Sequence, residues 1–586
     1  MNYNLNNTET TEQKSTSGKR LLKLLAYIKT EHKDLLKAFF ILMVSQALTL
    51  TVPFMIGYTI DTYVQTKQFS GILMCTGILL GMYLVNLVFS YWQGIMMGGV
   101  GQRMLYALRN AVFLKLQELP IAFFNQNKTG DLISRINNDT DKMNQFFSQS
   151  LVQFASGIIS MTGAGIFLLC INVKLGVATL LPGLLLLLFT RVISPLVKRK
   201  NAANMKSTGG LSAEIQESLS NFKVIIAFNR RDYFRKRFDQ ANQQSYRTAV
   251  SAGLFNNIFT PVFTLCSQLA MLAVLVYGIY LISTGEFTVG LLISYLSYCN
   301  HFYNPIRQLA ALWTNFQLAM AGWDRISQIL ELESDLQVIP GGAAKENAPL
   351  ISFNNVNFRY PGSKDILRNV SFNMERGKTY ALVGPTGGGK TTTASLIARL
   401  YDPTAGEVLL NGRDIRSYTP EERAQKIGFI LQEPFLFSGT IQENIVYGNA
   451  RYAEYTTEQL EEVIAKSGLN TLLERFEDGL GTKIVAGNDG ISLGQKQLIA
   501  FMRAVLRDPE LLVLDEATAN IDTVTEQQLE AVLQKLPAHT TRVIIAHRLN
   551  TIENADEIYF VNNGEINRAG SFSHAMNMLL HHERNS

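Results

Sequence analysis

Four cysteines are all that 586 residues carry, and Cys75, Cys170, Cys266 and Cys299 each sit inside an apolar run with no metal-ligand spacing. No disulfide framework is implied, and the four read as buried structural thiols. Surplus charge is also missing. Against 53 Lys and Arg stand 48 Asp and Glu, a net of only +5, so the bulk balance says little about partners and no nucleic acid is expected among them. No cleavable signal peptide is expected from the start of the chain either. Its first 18 residues are polar, rich in Asn, Thr and Ser, and their composition predicts disorder.

Apolar length is what the chain has in quantity. Hydrophobic residues make up 47%, and the mean hydropathy of +0.08 is high for a soluble protein yet low for one wholly embedded in lipid. The average resolves into two parts. Residues up to about 325 hold nearly all the long uncharged runs, and the chain after about 350 reads as soluble α/β.

Uncharged runs of about 18 residues or more are candidate membrane-spanning helices. Ala38–Ile60, Phe69–Gln102, Met143–Val173, Leu175–Thr190, Thr248–Gly285 and Phe287–Ile306 predict six crossings, the short fourth being required for a return across the bilayer. One set of connections is nearly free of cations, holding only Lys67, Lys174 and the acidic Glu286. The opposite set is rich in Lys and Arg, which predicts that both termini and both long loops are cytoplasmic. Leu21–Tyr27, among lysines, reads as an amphipathic helix on the membrane surface. Leu211, Ile215, Leu219, Phe222, Ile225 and Ile226 recur at helical spacing, so the second long loop reads as helical, with a tip suited to touching a cytoplasmic motor. In the last run, Tyr295, Tyr298, His301 and Phe302 fit an aromatic wall for amphipathic cargo. They fit ordinary packing with interfacial tyrosines equally well. His301, ionisable near an apolar span, is a candidate for the substrate path.

The densest chemical signal is Gly384-Pro385-Thr386-Gly387-Gly388-Gly389-Lys390-Thr391, which fits G-x-x-x-x-G-K-[ST]. It follows the strand-like Thr379–Val383 and opens a helical pattern that begins at Thr391 and Thr392, the context this motif needs. Backbone N–H groups and a helix N-terminus capture phosphate there. Lys390 is placed to reach the terminal phosphates and Thr391 to bind Mg²⁺. The pattern predicts binding of a nucleoside triphosphate.

Further motifs follow in a fixed order. From Ile351 onward the chain resembles the nucleotide-binding domain of an ATP-binding cassette (ABC) transporter, and its first half resembles the six-helix domain of the exporter type. Phe123–Arg135, with Asn138–Asp141, closely matches that family's first intracellular loop. The resemblance implies a multidomain fold: a polar start over 1–18, an all-α six-helix transmembrane domain over 19–330, a linker over 331–350, and an α/β P-loop ATPase domain over 351–586. It assigns Tyr360 to adenine stacking and Asp515, ending the apolar Leu511–Leu514, to Mg²⁺ through water. Glu516 is then the general base, Gln432 the loop glutamine contacting Mg²⁺ and water, His547 the switch histidine on the γ-phosphate, and Asp522 part of the loop between protomers.

One departure carries information. The family's signature loop, L-S-G-G-Q, binds ATP held by the other protomer, and here it reads Ile491-Ser492-Leu493-Gly494-Gln495. Leucine where the backbone should approach phosphate is expected to obstruct that approach or displace the helix N-terminus. Since Lys390, Glu516 and His547 are intact, the pattern resembles heterodimeric bacterial multidrug exporters and predicts pairing with a second ABC half-transporter chain. An active homodimer that tolerates Leu493 stays open. The implied function is ATP-driven export of hydrophobic or amphipathic compounds across the plasma membrane, among lipids. Flipping of lipids or lipid-linked precursors is the alternative. A channel-like, ATP-gated protein is a third reading, which the intact hydrolytic residues oppose.

Overall fold

The computed structural model describes residues 3–5, 31–342, 348–485, 491–515, 523–545, 553–570 and 573–574. The surface helix expected at Leu21–Tyr27, and the expected sites at Glu516, Asp522 and His547, lie outside these residues. The chain divides into two compact units. One comprises Glu9–Gln117 with Gly130–Glu331; the other comprises Leu332–Ser586 together with Met1–Thr8 and Glu118–Thr129.

The first unit is helical. Among the described residues five stretches are long and apolar enough to cross a membrane: His32–Val64, Phe69–Glu118, Thr129–Ile171, Val173–Ser220 and Arg231–Ser283. Their apolar windows bury little surface within the chain, only 6% for Phe69–Glu118, as side chains facing lipid should. The expected sixth crossing is a helix too, Val289–Leu330. It falls short on composition because Tyr295, Tyr298, Asn300, His301, Tyr303 and Asn304 interrupt its apolar half. The short fourth run is the start of a 48-residue helix, Val173–Ser220, whose N-cap Asn172 accepts the N–H of Leu175 at 3.0 Å.

Helices His32–Thr59 and Val289–Leu330 meet backbone to backbone. A Cβ on Gly290 would lie 2.1 Å from the carbonyl oxygen of Gly57, and one on Gly57 would lie 2.5 Å from that of Gly290. Small residues permit such an approach. Around it, Ser294 donates to the carbonyl of Pro53 at 2.7 Å and Tyr298 to that of Leu50 at 2.7 Å. The Asp61 carboxylate accepts from the Gly290 N–H and the Thr288 hydroxyl. Gly290→Val should therefore cost about 1–3 kcal/mol through overpacking. A thermal unfolding midpoint in detergent equal to that of the unmodified protein would contradict this account.

In the same unit the segment from Gly130 to Lys142 is held by a buried ionic cluster. Arg135, 3% exposed, donates to Asp131 at 3.0 Å, to the carbonyl of Arg325 at 2.7 Å and to Gln328 at 3.0 Å. Asp139, fully buried, pairs with Lys142 at 2.9 Å and Arg325 at 3.3 Å. Partners on several sides offset the desolvation of these charges.

Among the described residues the second unit has two large sheets and a two-stranded one, Gly439–Thr440 with Lys483–Ile484. A six-stranded sheet runs in the order Glu565–Arg568, Glu557–Asn562, Thr379–Val383, Thr541–Ile545, Leu511–Asp515, Ile427–Ile430, parallel except for its first member. An antiparallel sheet holds Ile351–Arg359, Asp365–Met374, Ala405–Leu410 and Arg413–Asp414. Strand Leu511–Asp515 shows why its sequence is uniformly apolar. Leu511 and Val513 belong to the core beneath the antiparallel sheet, whereas Leu512 and Leu514 belong to the core made with helices Leu493–Val505 and Thr523–Lys535. Both faces are covered, so alternation is lost.

Candidate functional site

The parallel strands end together. Ile545 lies opposite both Asp515 and Leu382, and Leu514 lies opposite Ile430. The segments that leave these ends carry the candidate residues: Gly384 after Val383, Gln432 after Ile430, Glu516 after Asp515 and His547 after Ile545. Ligands of open α/β sheets bind at this edge.

The glycine loop turns between strand Thr379–Val383 and helix Lys390–Ile397. Gly384 has φ +149°, and a Cβ there would sit 2.0 Å from the carbonyl oxygen of Val561, so no other residue fits. Gly389 caps the helix from the left-handed region. Lys390 is 6% exposed, and its ammonium donates to the carbonyls of Gly384 at 2.8 Å and Pro385 at 3.1 Å, holding the charge inside the loop. Pro385, Thr386, Gly387 and Gly388 complete the turn, whose N–H groups and helix N-terminus form an anion cradle.

The Thr391 hydroxyl donates to Asp515 Oδ1 at 3.4 Å, bringing the loop and the neighbouring strand end together. These are hard oxygen donors. Together with the exposed Gln432 they suit Mg²⁺, which is held by one or two protein oxygens while phosphates and water complete its shell. Tyr360 lies within hydrogen-bonding distance of Thr392, 3.3 Å between their hydroxyl oxygens. Its ring meets Tyr401 edge to face at 5.1 Å and 86°, and Phe358 at 4.9 Å and 87°. Tyr401 accepts a hydrogen bond from Asn125 at 2.8 Å. Burial pushes the Tyr401 phenol up, against the lowering effect of Asn125. The sequence singles out neither Tyr401 nor Asn125; an aromatic a few residues past the phosphate-loop helix is a faint signal that packing alone explains.

The altered signature segment opens helix Leu493–Val505. Ser492 is its N-cap, accepting the Gln495 N–H at 3.2 Å while Gln495 Oε1 accepts the Ser492 N–H at 3.0 Å, a complete capping box. The helix start is therefore well formed. Leu493 thus does not unwind the turn it opens. Leu493 occupies the first helical position, 38% exposed, just ahead of Gly494.

In the helical unit, Tyr295 and Tyr298 are fully buried. Tyr295 donates to the carbonyl of Leu168 at 2.9 Å, and Tyr298 stacks on Phe167 at 4.9 Å. These are packing roles, the second of the two arrangements expected for them. Phe302 is half-buried against Tyr303. His301 differs. It lines a cavity of about 160 Å³ with Leu48, Thr49, Val52, Met82, Tyr83 and Asn86. Asn86 accepts from Ser45 at 2.5 Å and donates to Thr49 at 3.3 Å, so the apolar bundle has a polar wall at this point.

Comparison with known proteins agrees with this geometry. The family described as the ABC transporter transmembrane region matches residues 35–306, and the family described as ABC transporter matches residues 367–519. An uncharacterized ABC transporter ATP-binding protein, YfiC of Bacillus subtilis, is 32% identical over 95% of this chain and 92% of its own length. A fatty acid ABC transporter ATP-binding/permease protein of Mycobacterium bovis is 32% identical over 86% and 80% respectively. A multidrug resistance ABC transporter of Lactococcus lactis is 29% identical over 95% and 93%. The fold matches a bacterial Atm1-family ABC exporter with ATP bound, at TM-score 0.77 and 24% identity, over 93% of this chain and 97% of that one.

Proposed function

We propose, from the premise that this chain belongs to the ABC transporter family and has the exporter fold, that it is one half of an asymmetric heterodimer exporting hydrophobic or amphipathic compounds. ATP hydrolysis drives such exporters. The helix Val289–Leu330 is taken as the sixth crossing, with the ATPase domain and both termini on the cytoplasmic side of the plasma membrane.

The observation that carries the heterodimer is a contrast within one domain. The phosphate loop is complete, with Lys390 buried in it and Thr391 joined to Asp515. The signature helix is equally well formed but presents Leu493 at its N-terminus. Two identical chains would place that leucine at both ATP sites, whereas a partner with an intact signature leaves one site unobstructed. Thr391, Asp515 and Gln432 would hold Mg²⁺, which neutralises phosphate charge. Lys390 and the loop amides bind and orient the phosphates, and Glu516 accepts the proton of the attacking water.

Coupling to the membrane half has a physical candidate in the second long loop. Phe222, Val224, Ile226 and Phe228 are 54%, 55%, 42% and 75% exposed at the tip formed by helix Phe222–Ala227. Such an apolar end, on a stretch otherwise rich in charge, calls for a protein surface to cover it. The partner's ATPase domain is the proposed cover. Cargo would pass the polar wall of Thr49, Asn86 and His301, where an amphipathic molecule finds hydrogen bonds within an apolar lining.

Purification of the natural complex from its source tests the pairing. A second homologous chain at equal stoichiometry, with glycine at the position of Leu493, is expected. A homodimer hydrolysing ATP at ordinary exporter rates would overturn it. For cargo, His301→Ala should change the concentration of an amphipathic dye needed to stimulate ATP hydrolysis. A fatty acid or phospholipid that stimulates while every dye fails would redirect the reading to lipid.

A further inference from the structure

Within the polar start of this chain, Tyr3 does not behave like solvent-exposed sequence. It is 1% exposed, in a stretch whose composition predicts disorder. Its main chain pairs with the short helix Ile121–Gln126 of the first intracellular loop and the residue after it. The Tyr3 N–H donates to Gln126 at 2.8 Å, its carbonyl accepts from Asn127 at 2.9 Å, and the N–H of Leu5 donates to Asn127 at 3.0 Å. Its ring stands edge-on to Phe123, 6.4 Å between centroids.

The phenol reaches a third segment. It donates to the carbonyl of Glu333 at 3.2 Å and accepts from the N–H of Asp335 at 2.9 Å. Both belong to the stretch that follows helix Val289–Leu330 and leads into the ATPase domain. Burial pushes this phenol above its ordinary value, against the lowering effect of the Asp335 backbone, so it keeps its proton for Glu333. That stretch is itself tied down further on. Arg399 donates to the carbonyls of Gln337 and Arg416, and Ile339 donates to Arg416.

On its other side the same short helix touches the nucleotide site. Asn125 donates to Tyr401, whose ring braces Tyr360. A six-residue helix is too short to hold its own shape. Here its position is set from two directions, by Tyr3 with the linker and by Tyr401 with the adenine-site ring.

We propose that Tyr3 is a positioning residue, stapling the first intracellular loop to the interdomain linker so that nucleotide-dependent movement at Tyr360 and Tyr401 is passed to the transmembrane helices. The inference rests on the exporter reading above. Without the staple, the loop helix is free to yield locally when Tyr401 moves. With it, displacement continues into Phe69–Glu118 and the segment from Gly130, the two stretches covalently joined to the loop.

The test uses the natural full-length complex in lipid nanodiscs, followed by amide hydrogen exchange with and without ATP plus vanadate. Tyr3→Ala should speed exchange of residues 121–127 and 332–336 by about tenfold. It should leave helix Lys390–Ile397 unchanged and the KM for ATP within about twofold. The ATP-dependent change in exchange at residues 104–118 should shrink by about threefold or more. Tyr3→Phe, which keeps the ring and the main-chain bonds, should speed exchange at 332–336 alone. Equal ATP responses in unmodified and Tyr3→Ala protein would overturn the proposal, as would unaltered exchange in both segments or an unmodified complex with no ATP response. No cargo enters this measurement, so a mistaken cargo assignment shows itself separately, as failure of dye transport.

Discussion

Lys390→Ala lowers the affinity for ATP by about ten- to hundredfold, the equivalent of one or two charge-assisted hydrogen bonds to phosphate. The ammonium is already desolvated, 6% exposed and held by the Gly384 and Pro385 carbonyls at 2.8 and 3.1 Å. Phosphate oxygens therefore meet an ammonium that has already shed most of its contact with water. Titration with a fluorescent ATP analogue reads the effect directly. The phosphate loop should survive the change, because its shape comes from Gly384 packed on Val561 and from the Gly389 cap rather than from the lysine. Unchanged affinity in a folded variant would remove the loop from the binding site.

Glu516→Gln separates hydrolysis from binding. A general base contributes about 10²–10⁴ in rate, so turnover at the competent site falls by that range while ATP affinity stays within about twofold. Glu516 follows Asp515 at the end of a strand buried on both faces, and Asp515 is tied to Thr391. Amide for carboxylate preserves size and keeps one hydrogen-bond acceptor, so the ATP-closed state accumulates. Single-turnover hydrolysis and nucleotide retention on a gel-filtration column check both halves. Normal turnover would reassign the base, and loss of binding would show that the residue belongs to the ATP cradle instead.

Both residues sit in segments whose character is legible in the sequence. The phosphate loop is recognisable because glycine, lysine and threonine at fixed spacing have few other uses, and its flanking strand and helix both form. Strand Leu511–Asp515 is recognisable because burial on both faces leaves an unbroken apolar run. The last crossing is harder to read. Its tyrosines fit a cargo wall and packing equally, and only the hydroxyls of Tyr295 and Tyr298, turned inward to carbonyls of neighbouring helices, separate the two. Tyr3 and Tyr401 leave no such trace. They bond to Gln126 and Asn125, partners 123 and 276 residues away, which no local periodicity records. Leu493 is visible as an anomaly, but whether it deforms its helix is decided by the Ser492–Gln495 box alone.

That box bears on how Ser492 can serve two masters. A hydroxyl has lone pairs to accept with and a separate proton to give. Satisfying the Gln495 amide engages the oxygen and leaves the proton's direction to be set by whatever anion arrives. In the proposed heterodimer the serine would then meet a phosphate from the neighbouring chain without unwinding its own turn, and the bulk of the adjoining leucine, rather than the chemistry of the serine, would set how near that phosphate comes.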